Sequence, residues 1–395
     1  MTVAERVLIA GAGPVGLTAA ANLVRYGVPV TVLEAGSDLS EESRASTFHP
    51  PTLDMLDDLD AAKPLISQGL VAPSFQYRNK QQGLLAQFDF GTIADATGHP
   101  YRVQCEQSKL TRILYDQLSN RPDFELELDS AVRGVTQHAS GVEVTIERNG
   151  HTETRSGRWL IGADGARSDV RRSLGIEFEG FTWPERFLVV STPFDFRTVV
   201  PDLVAVSYVT DIQRWYFLLQ IPGLCRAMFP IAADESDELA LRPEFAQSLM
   251  ATIVPGLPNY EIAHVTLYKV HQRVAKTFQL GRAFLVGDAA HINNPLGGMG
   301  MNGGIHDAIN LTSRMVEVWQ GTKADAELER YDKQRRLVTL EYIQTQTIQN
   351  KRNLESDGVE FRRNLEEITS DPRRTYEYLM RVSMIASLRR AQELG

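Results

Sequence analysis

Cysteine is nearly absent from this 395-residue chain: only Cys105 and Cys225 occur, far apart in the sequence. That excludes a disulfide framework and fits a reducing cytoplasm, where the protein is expected to reside. Histidine and cysteine never gather at metal-ligand spacing. His49, His291 and His306 stand alone and read as packing or polar residues, so no metal is expected. Basic residues form no long run and the net charge is −9, which argues against nucleic acid and against stable association with an anionic membrane. Long apolar runs are missing too. The nearest approach, Val7 to Val24, is broken by three glycines and a proline. No basic stretch precedes it and no cleavage site follows, so it reads as neither a signal peptide nor a spanning helix. There is no internal repeat and no low-complexity segment. A chain of this length can bury a full core and hold two domains, interleaved.

What the chain does have is glycine, concentrated at two places. The first follows Arg6-Val7-Leu8-Ile9-Ala10, an apolar, β-branched run that reads as a buried parallel strand. It enters Gly11-Ala12-Gly13-Pro14-Val15-Gly16, with G-x-G-x-x-G spacing, then a helix from Leu17 to Tyr26 and a second strand, Pro29 to Glu34. Strand, helix, strand and terminal acid stand in register, the context that turns this weak motif into a dinucleotide fingerprint. Gly11 permits the tight turn, Gly13 lets backbone approach a pyrophosphate, and Gly16 allows close helix–strand packing. The helix N-terminus offers N–H groups and partial positive charge to phosphates. Glu34 is placed to accept hydrogen bonds from a ribose.

The second concentration runs from Gly287-Asp288 through Pro295-Leu296-Gly297-Gly298-Met299-Gly300-Met301-Asn302 to Gly303-Gly304. It follows the strand Ala283 to Val286 and leads into a helix expected from Gly303 to Trp319. Gly297, Gly298 and Gly300 leave room for a flat ring against backbone, and a carboxylate at a strand end, Asp288, suits an alcohol donor.

Between these places the chain reads as follows. A polar loop, Ser37 to Arg44, leads to Pro50-Pro51 and a short helix, Thr52 to Leu59. Gln107 to Leu118 is an amphipathic helix with Leu110, Ile113, Leu114 and Leu118 on one face. Short strands follow, with a hairpin turn at Asn149-Gly150, before Trp159-Leu160-Ile161 enters Gly162-Ala163-Asp164-Gly165. From Phe187 to about Val270 an antiparallel sheet is inserted, with strands Leu203 to Tyr208, Trp215 to Ile221 and Arg226 to Ile231. The fold class is therefore α/β: a Rossmann-like framework, 1–75, 100–182 and 270–345, interleaved with a β-sheet domain, 76–99 and 183–269. A helical C-terminal segment, 346–395, is expected to cover the core or carry a homodimer contact.

Three motifs thus stand in one order: Gly11-x-Gly13-x-x-Gly16, Asp164-Gly165 and Gly287-Asp288. With Pro295 to Asn302 they make the chain resemble the single-component (group A) flavoprotein aromatic hydroxylases, the para-hydroxybenzoate hydroxylase-like family. The resemblance covers nearly the whole length and implies FAD as cofactor. Gly11, Gly13, Pro14, Val15, Gly16, Glu34 and Ala35 would then hold the adenosine end, with Glu34 on its ribose. Arg44 and Gln107 would contact the flavin-side pyrophosphate and ribityl, and Asp288, after Gly287, the ribityl chain. The backbone from Leu296 to Asn302, including Gly298, Gly300 and Met301 and following Pro295, would donate to the pyrimidine edge. Asp164 and Gly165, with Arg167, would serve FAD and the nicotinamide phosphates. A helix N-terminus beside the ring suits the negative charge of a reduced flavin. Met299 and Ser313-Arg314 depart from the family's usual residues without removing a flavin ligand.

The reaction implied is hydroxylation of a small phenolic or N-heteroaromatic ring with O2 and NADPH or NADH, the oxygen passing from a flavin C4a-hydroperoxide. The protein must position the ring and exclude water. Activating a phenol needs a polar partner near its hydroxyl, for which Tyr208, Tyr216, His271 and the carbonyl of Pro295 are the candidates. On the sheet, Tyr208, Thr210, Tyr216 and Gln220 are expected to point inward. Arg214 lies at a turn, so a carboxylate-anchoring arginine would have to be Arg226. A flavin-dependent halogenase shares the fold, but Phe217 and Leu219 fill its two tryptophan positions and no lysine precedes Lys63. A nicotinamide dehydrogenase would need neither Asp288 nor a second glycine-rich bed. A Baeyer–Villiger or ring-cleaving oxygenase, and a flavin binder without turnover, remain as alternatives.

Overall fold

The computed structural model describes residues 5–41, 45–200, 202–257, 259–356 and 359–394. Its centre is a six-stranded sheet. Val7–Ala10, Val30–Leu33 and Trp159–Gly162 are buried along their whole length, which is why, Thr31 aside, they carry no polar residue. Phe124–Glu127 and Ala283–Leu285 extend this parallel set on either side, and Gln279–Leu280 closes one edge antiparallel. The helix Pro14–Arg25 packs against both Gln107–Leu118 and Met299–Trp319. A buried hydrogen bond of 2.8 Å from Asn22 to Thr312 ties the first helix to the last of these.

Ala131–His138, Gly141–Arg148 and His151–Gly157 form a small antiparallel sheet. The turn at Asn149 and Gly150 has positive φ at both residues, 49° and 77°, as a tight two-residue hairpin requires.

The second large sheet has eight strands. In spatial order they are His291–Ile292, His264–Ala275, Phe178–Thr192, Leu224–Ile231, Tyr216–Ile221, Val206–Thr210, Ser74–Asn79 and Gly83–Asp89. All neighbours pair antiparallel except Val206–Thr210 with Ser74–Asn79. One face buries Phe187, Phe75 and Phe88 with Leu354, Phe361, Leu365 and Leu379 of the C-terminal helices. The other buries Tyr216, Leu218 and Phe229 beneath the helix Pro243–Ile253.

Several elements begin or end elsewhere than the sequence reading places them, the first helix at Pro14 rather than Leu17 among them. The early helix spans Pro50–Asp57, its two prolines occupying the first turn, where no N–H donor is needed. The first inserted strand is Val206–Thr210, later than expected. The helix expected from Gly303 begins at Met299, directly after a left-handed Gly298.

Candidate active site

Two connected clefts share the walls Ala45, Asp288 and Met301. The first, about 460 Å³, is lined by Gly11, Gly13, Pro14, Val15, Glu34, Ala35, Gln107, Asp164, Gly165 and Arg167. The helix Pro14–Arg25 starts here with no side-chain cap, so its first-turn N–H groups are free to serve an anion. The space a Cβ on Gly13 would enter is empty. Asp164 accepts Val170 N at 3.0 Å through one oxygen, while its Oδ1 is buried without a partner. Burial raises the Asp164 pKa, against the hydrogen bonds that lower it. Gln107 begins its helix, but its side chain does not cap it: the preceding Glu106 is the cap residue, and Gln107 N donates to Ala45 O at 3.0 Å. An open glycine turn, an uncapped helix end and an orphaned carboxylate oxygen fit an extended dinucleotide.

The second cleft, also about 460 Å³, lies between the glycine-rich bed and the large sheet. Gly297 and Gly298 have φ of +102° and +67°, and a Cβ on Gly298 would lie 2.9 Å from Thr47 Cβ. The helix Met299–Trp319 has no side-chain cap, so its first turn presents unpaired N–H groups beside Gly300 and Met301, which line the cavity. A flat ring would find room here, beside a helix N-terminus whose partial positive charge suits an anionic group.

The bed is braced from behind. Asn294 N donates to Gln272 Oε1 at 3.1 Å, Leu296 N to Asn294 Oδ1 at 3.1 Å, and Asn350 to Leu296 O at 3.1 Å. His49 Nε2 lies 2.8 Å from Gly297 O. Burial, and then the charge of Arg102, hold the His49 pKa well below its ordinary value, so the ring is neutral and Nε2–H donates. Pro295 lines the cavity, its carbonyl accepting Gly298 N at 3.0 Å. Below the bed, Asp307 accepts from His291 at 2.7 Å and from Arg335 at 2.7 Å.

Opposite the bed, the sheet offers Val189, Val206, Tyr208, Phe217, Leu219 and Met228. His271 also lines the cavity and bonds Thr182 Oγ1 at 2.9 Å. Burial, then Arg273 and Lys269, lower its pKa. Two buried arginines, Arg102 and Arg226, complete the wall.

The sequence-derived site is thus largely assembled in one place, with corrections. Tyr216 does not face the cavity. Antiparallel pairing sets Tyr208 opposite Phe217 and Val209 opposite Tyr216, so Tyr216 shares the far face with Val209. Thr210 and Gln220, also expected inward, do not line the cavity; Val206 and Leu219 do. Gly16, Gly287 and Asn302 lie behind the cleft walls. A Cβ on Gly16 would sit 2.0 Å from Gly11 O, and Gly287 packs on Val15. The Asn302 side chain is spent on His49 N, Thr47 O and Gly298 O at 2.9, 2.8 and 2.7 Å. Arg44 lies outside the described residues. Sequence reading missed Arg102, Gln272 and Asn350, none of which belongs to a motif, and gave no role to Asn294 within the second glycine-rich stretch.

A dinucleotide cleft opening onto a glycine-bedded, sheet-walled cavity defines a flavoprotein of the single-component aromatic hydroxylase class. The chain belongs to the corresponding family, whose model, described as "FAD binding domain", matches residues 4–346. It is 33% identical over 349 residues to a para-nitrophenol 4-monooxygenase of Pseudomonas sp. (strain WBC-3), covering 87% of this chain and 85% of that protein. It is 33% identical over 362 residues to the 6-hydroxy-3-succinoylpyridine 3-monooxygenase HspB of Pseudomonas putida (strain DSM 28022 / S16), covering 90% of each. The crystal structure of the p-nitrophenol 4-monooxygenase PnpA from Pseudomonas putida DLL-E4 superposes with a TM-score of 0.89 at 28% identity, covering 95% of this chain and 97% of that one. The chain is an FAD-dependent, NAD(P)H- and O2-using aromatic monooxygenase. Among the described residues, no helix is long and apolar enough to cross a membrane.

Proposed function

We propose that the enzyme hydroxylates a single-ring phenol or hydroxypyridine. The observation that carries this reading is the second cavity. Part of its volume is bounded by the glycine bed and belongs to the cofactor ring, so the remainder suits one small aromatic. The sheet wall is apolar at Val206, Phe217, Leu219 and Met228, with Tyr208 and His271 as polar groups that can orient a ring hydroxyl. Glu34, Ala35, Gln107, Asp164 and Asp288 are read as cofactor contacts on their place in the clefts, and Arg44 on its place in the sequence. When bound, FAD supplies the oxygen-activating chemistry. The chain's own residues hold the ring against the bed, keep water out and orient the hydroxyl. The test is NADH and NADPH oxidation against a panel of phenols and hydroxypyridines, with product mass. Oxidation without any hydroxylated product across the panel would overturn the reading.

The domain division drawn above is retained as part of this proposal. Its support is that all six strands of the central sheet, from Val7–Ala10 to Ala283–Leu285, fall within the first set of segments. A cytoplasmic setting is supported by two buried, unpaired cysteines. A homodimer is supported by the exposed apolar residues Leu340 and Val359 near the C-terminal helices; light scattering on a sizing column tests it.

A further inference from the structure

The two buried arginines of the substrate cavity differ in their partners. Arg226 ion-pairs with Glu106 at 3.3 Å and donates to Ser46 Oγ. Arg102 is 2% exposed and makes no ion pair with a carboxylate among the described residues. One of its nitrogens donates to Val382 O at 3.3 Å, and its Nε is buried without a partner. The guanidinium lies over the rings of Phe75 and Phe90, 4.9 and 5.1 Å from their centroids. The titratable groups around it are the phenols of Tyr208, whose hydroxyl is also hydrogen-bonded to it, Tyr77 and Tyr378. Burial holds Tyr77 well above the ordinary tyrosine range and pushes Tyr378 up to about 12, so both stay neutral and neither supplies a counter-charge. His49, nearby, is neutral as well.

A guanidinium keeps its proton in a protein, and a buried charge without a counter-ion is strongly disfavoured. The stacked phenylalanines offset part of that cost and fix the plane of the fork. They leave the charge itself to be answered from the cavity, which Arg102 lines together with Tyr208. Its ring contacts, Phe75 and Phe90, and its cavity neighbour Tyr208 stand on the sheet side, so the substrate half of the cavity is where an anion would meet it.

We propose that Arg102 is the anion-recognition residue of this cavity and selects aromatic substrates that carry an anionic oxygen, a phenolate or a ring carboxylate, over neutral aromatics of the same shape. This rests on the hydroxylase reading of the cavity. Because a phenolate is favoured there over the phenol, Arg102 also sets the ionisation state in which a phenolic substrate is held. Arg226, already ion-paired, takes no part in this selection.

The experiment is ligand titration of the oxidised holoenzyme, without NAD(P)H, so that binding is read apart from turnover. The probes are 4-nitrophenol across a pH series, its neutral methyl ether 4-nitroanisole, and benzoate. In the wild type the bound nitrophenol should ionise about one pH unit or more below the free molecule, and 4-nitroanisole should bind about tenfold or more weaker. Benzoate binding instead of nitrophenolate binding assigns the anion as a carboxylate and supports the same role. Arg102→Gln should weaken the anion about tenfold or more and leave 4-nitroanisole unchanged, with Arg102→Lys between the two. Equal wild-type affinity for 4-nitrophenolate and 4-nitroanisole, with benzoate not bound, overturns the proposal, as does an equal loss of both in Arg102→Gln. Should Arg102→Gln fail to retain FAD, the wild-type pH series decides alone. Hydroxylated product without anion preference sinks only the role of Arg102. Anion preference without hydroxylated product sinks only the hydroxylase reading.

Discussion

The carboxylate of Glu34 accepts the backbone N–H of Ala12 at 2.7 Å, and so ties the end of the second strand to the glycine loop that follows the first. Its other oxygen accepts Gly36 N at 2.9 Å. Glu34 therefore shapes the turn as well as lining the first cleft. Glu34→Ala should weaken FAD binding and lower the melting temperature together, because two backbone donors lose their partner, at about 1–3 kcal/mol for each that is left unsatisfied. Glu34→Gln keeps one acceptor oxygen and should fall between. Apoprotein titration with FAD, paired with thermal melts, checks this. Weaker FAD binding with an unchanged melting temperature would leave Glu34 as a ribose ligand only.

Two glycines of the same motif should separate fold from cofactor binding. Gly13 has an ordinary φ of −73° and open space where a Cβ would go. Gly13→Ala should fold normally and lose FAD, since the methyl enters the room meant for the pyrophosphate. At Gly16 a Cβ would lie 2.0 Å from Gly11 O, with backbone on both sides of the clash. Gly16→Ala should instead destabilise the protein itself, by about 1–3 kcal/mol on the scale of overpacking. Comparing FAD content with melting temperature in the two variants distinguishes them. A Gly13→Ala protein with full FAD content would remove the dinucleotide from that turn.

The two glycine-rich signals were legible because they are local. Val7–Ala10 and Val30–Leu33 are buried on both faces, so apolar runs mark them with no need to know their neighbours. The start of the helix at Met299 was not legible, because glycine lowers helix propensity and Gly300, Gly303 and Gly304 read as loop. The structure gives a packing reason for two of them: Gly303 lies against Ile343 and His291, and Gly304 against Val15 and Gly287. The facing of Tyr216 was not legible either. It depends on how many residues the turn after Thr210 consumes, and one residue more or less exchanges the two faces of the strand. Arg102 sits on the three-residue strand Arg102–Gln104, too short to show a period, and its burial is made by Phe75, Phe90 and Val382, distant in sequence.

The Asp307 cluster predicts acid sensitivity. Burial alone would raise the Asp307 carboxyl, but His291 and Arg335 beside it hold its pKa below the ordinary value. A carboxylate depressed on folding contributes stability above its unfolded pKa of about 3.9, and that contribution is lost as pH falls from there through the lower folded value. Asp307→Asn should abolish this component of the melting-temperature-against-pH curve. At neutral pH it should cost about 3–5 kcal/mol, because Arg335 is left buried without its acid. Thermal melts of both proteins across the acid range test it. Parallel curves would show that Asp307 does not titrate with unfolding.

Tyr208 and Tyr216 were alike as sequence candidates, and the pairing of their strands gives them opposite surroundings. Tyr208 lines the substrate cavity and stacks on Tyr77, with ring centroids 5.3 Å apart. Tyr216 packs on Phe229 on the far face, where burial and then Asp211 raise its pKa. Removing the Tyr208 hydroxyl takes away a polar group that can orient the substrate, while the ring and its stacking remain. Tyr208→Phe should therefore keep the fold and FAD content but lower the ratio of hydroxylated product to NAD(P)H consumed, with a rate loss of about tenfold to a hundredfold if the hydroxyl helps hold the reacting ring. Tyr216→Phe removes an oxygen that never meets the cavity, so its product ratio and KM should match the wild type. The two variants assayed side by side, for NAD(P)H oxidation and for product, decide which face of the sheet the substrate sees. Loss of coupling in Tyr216→Phe but not in Tyr208→Phe would place the substrate on the wrong side of the sheet for this reading, and with it the cavity assignment would fall.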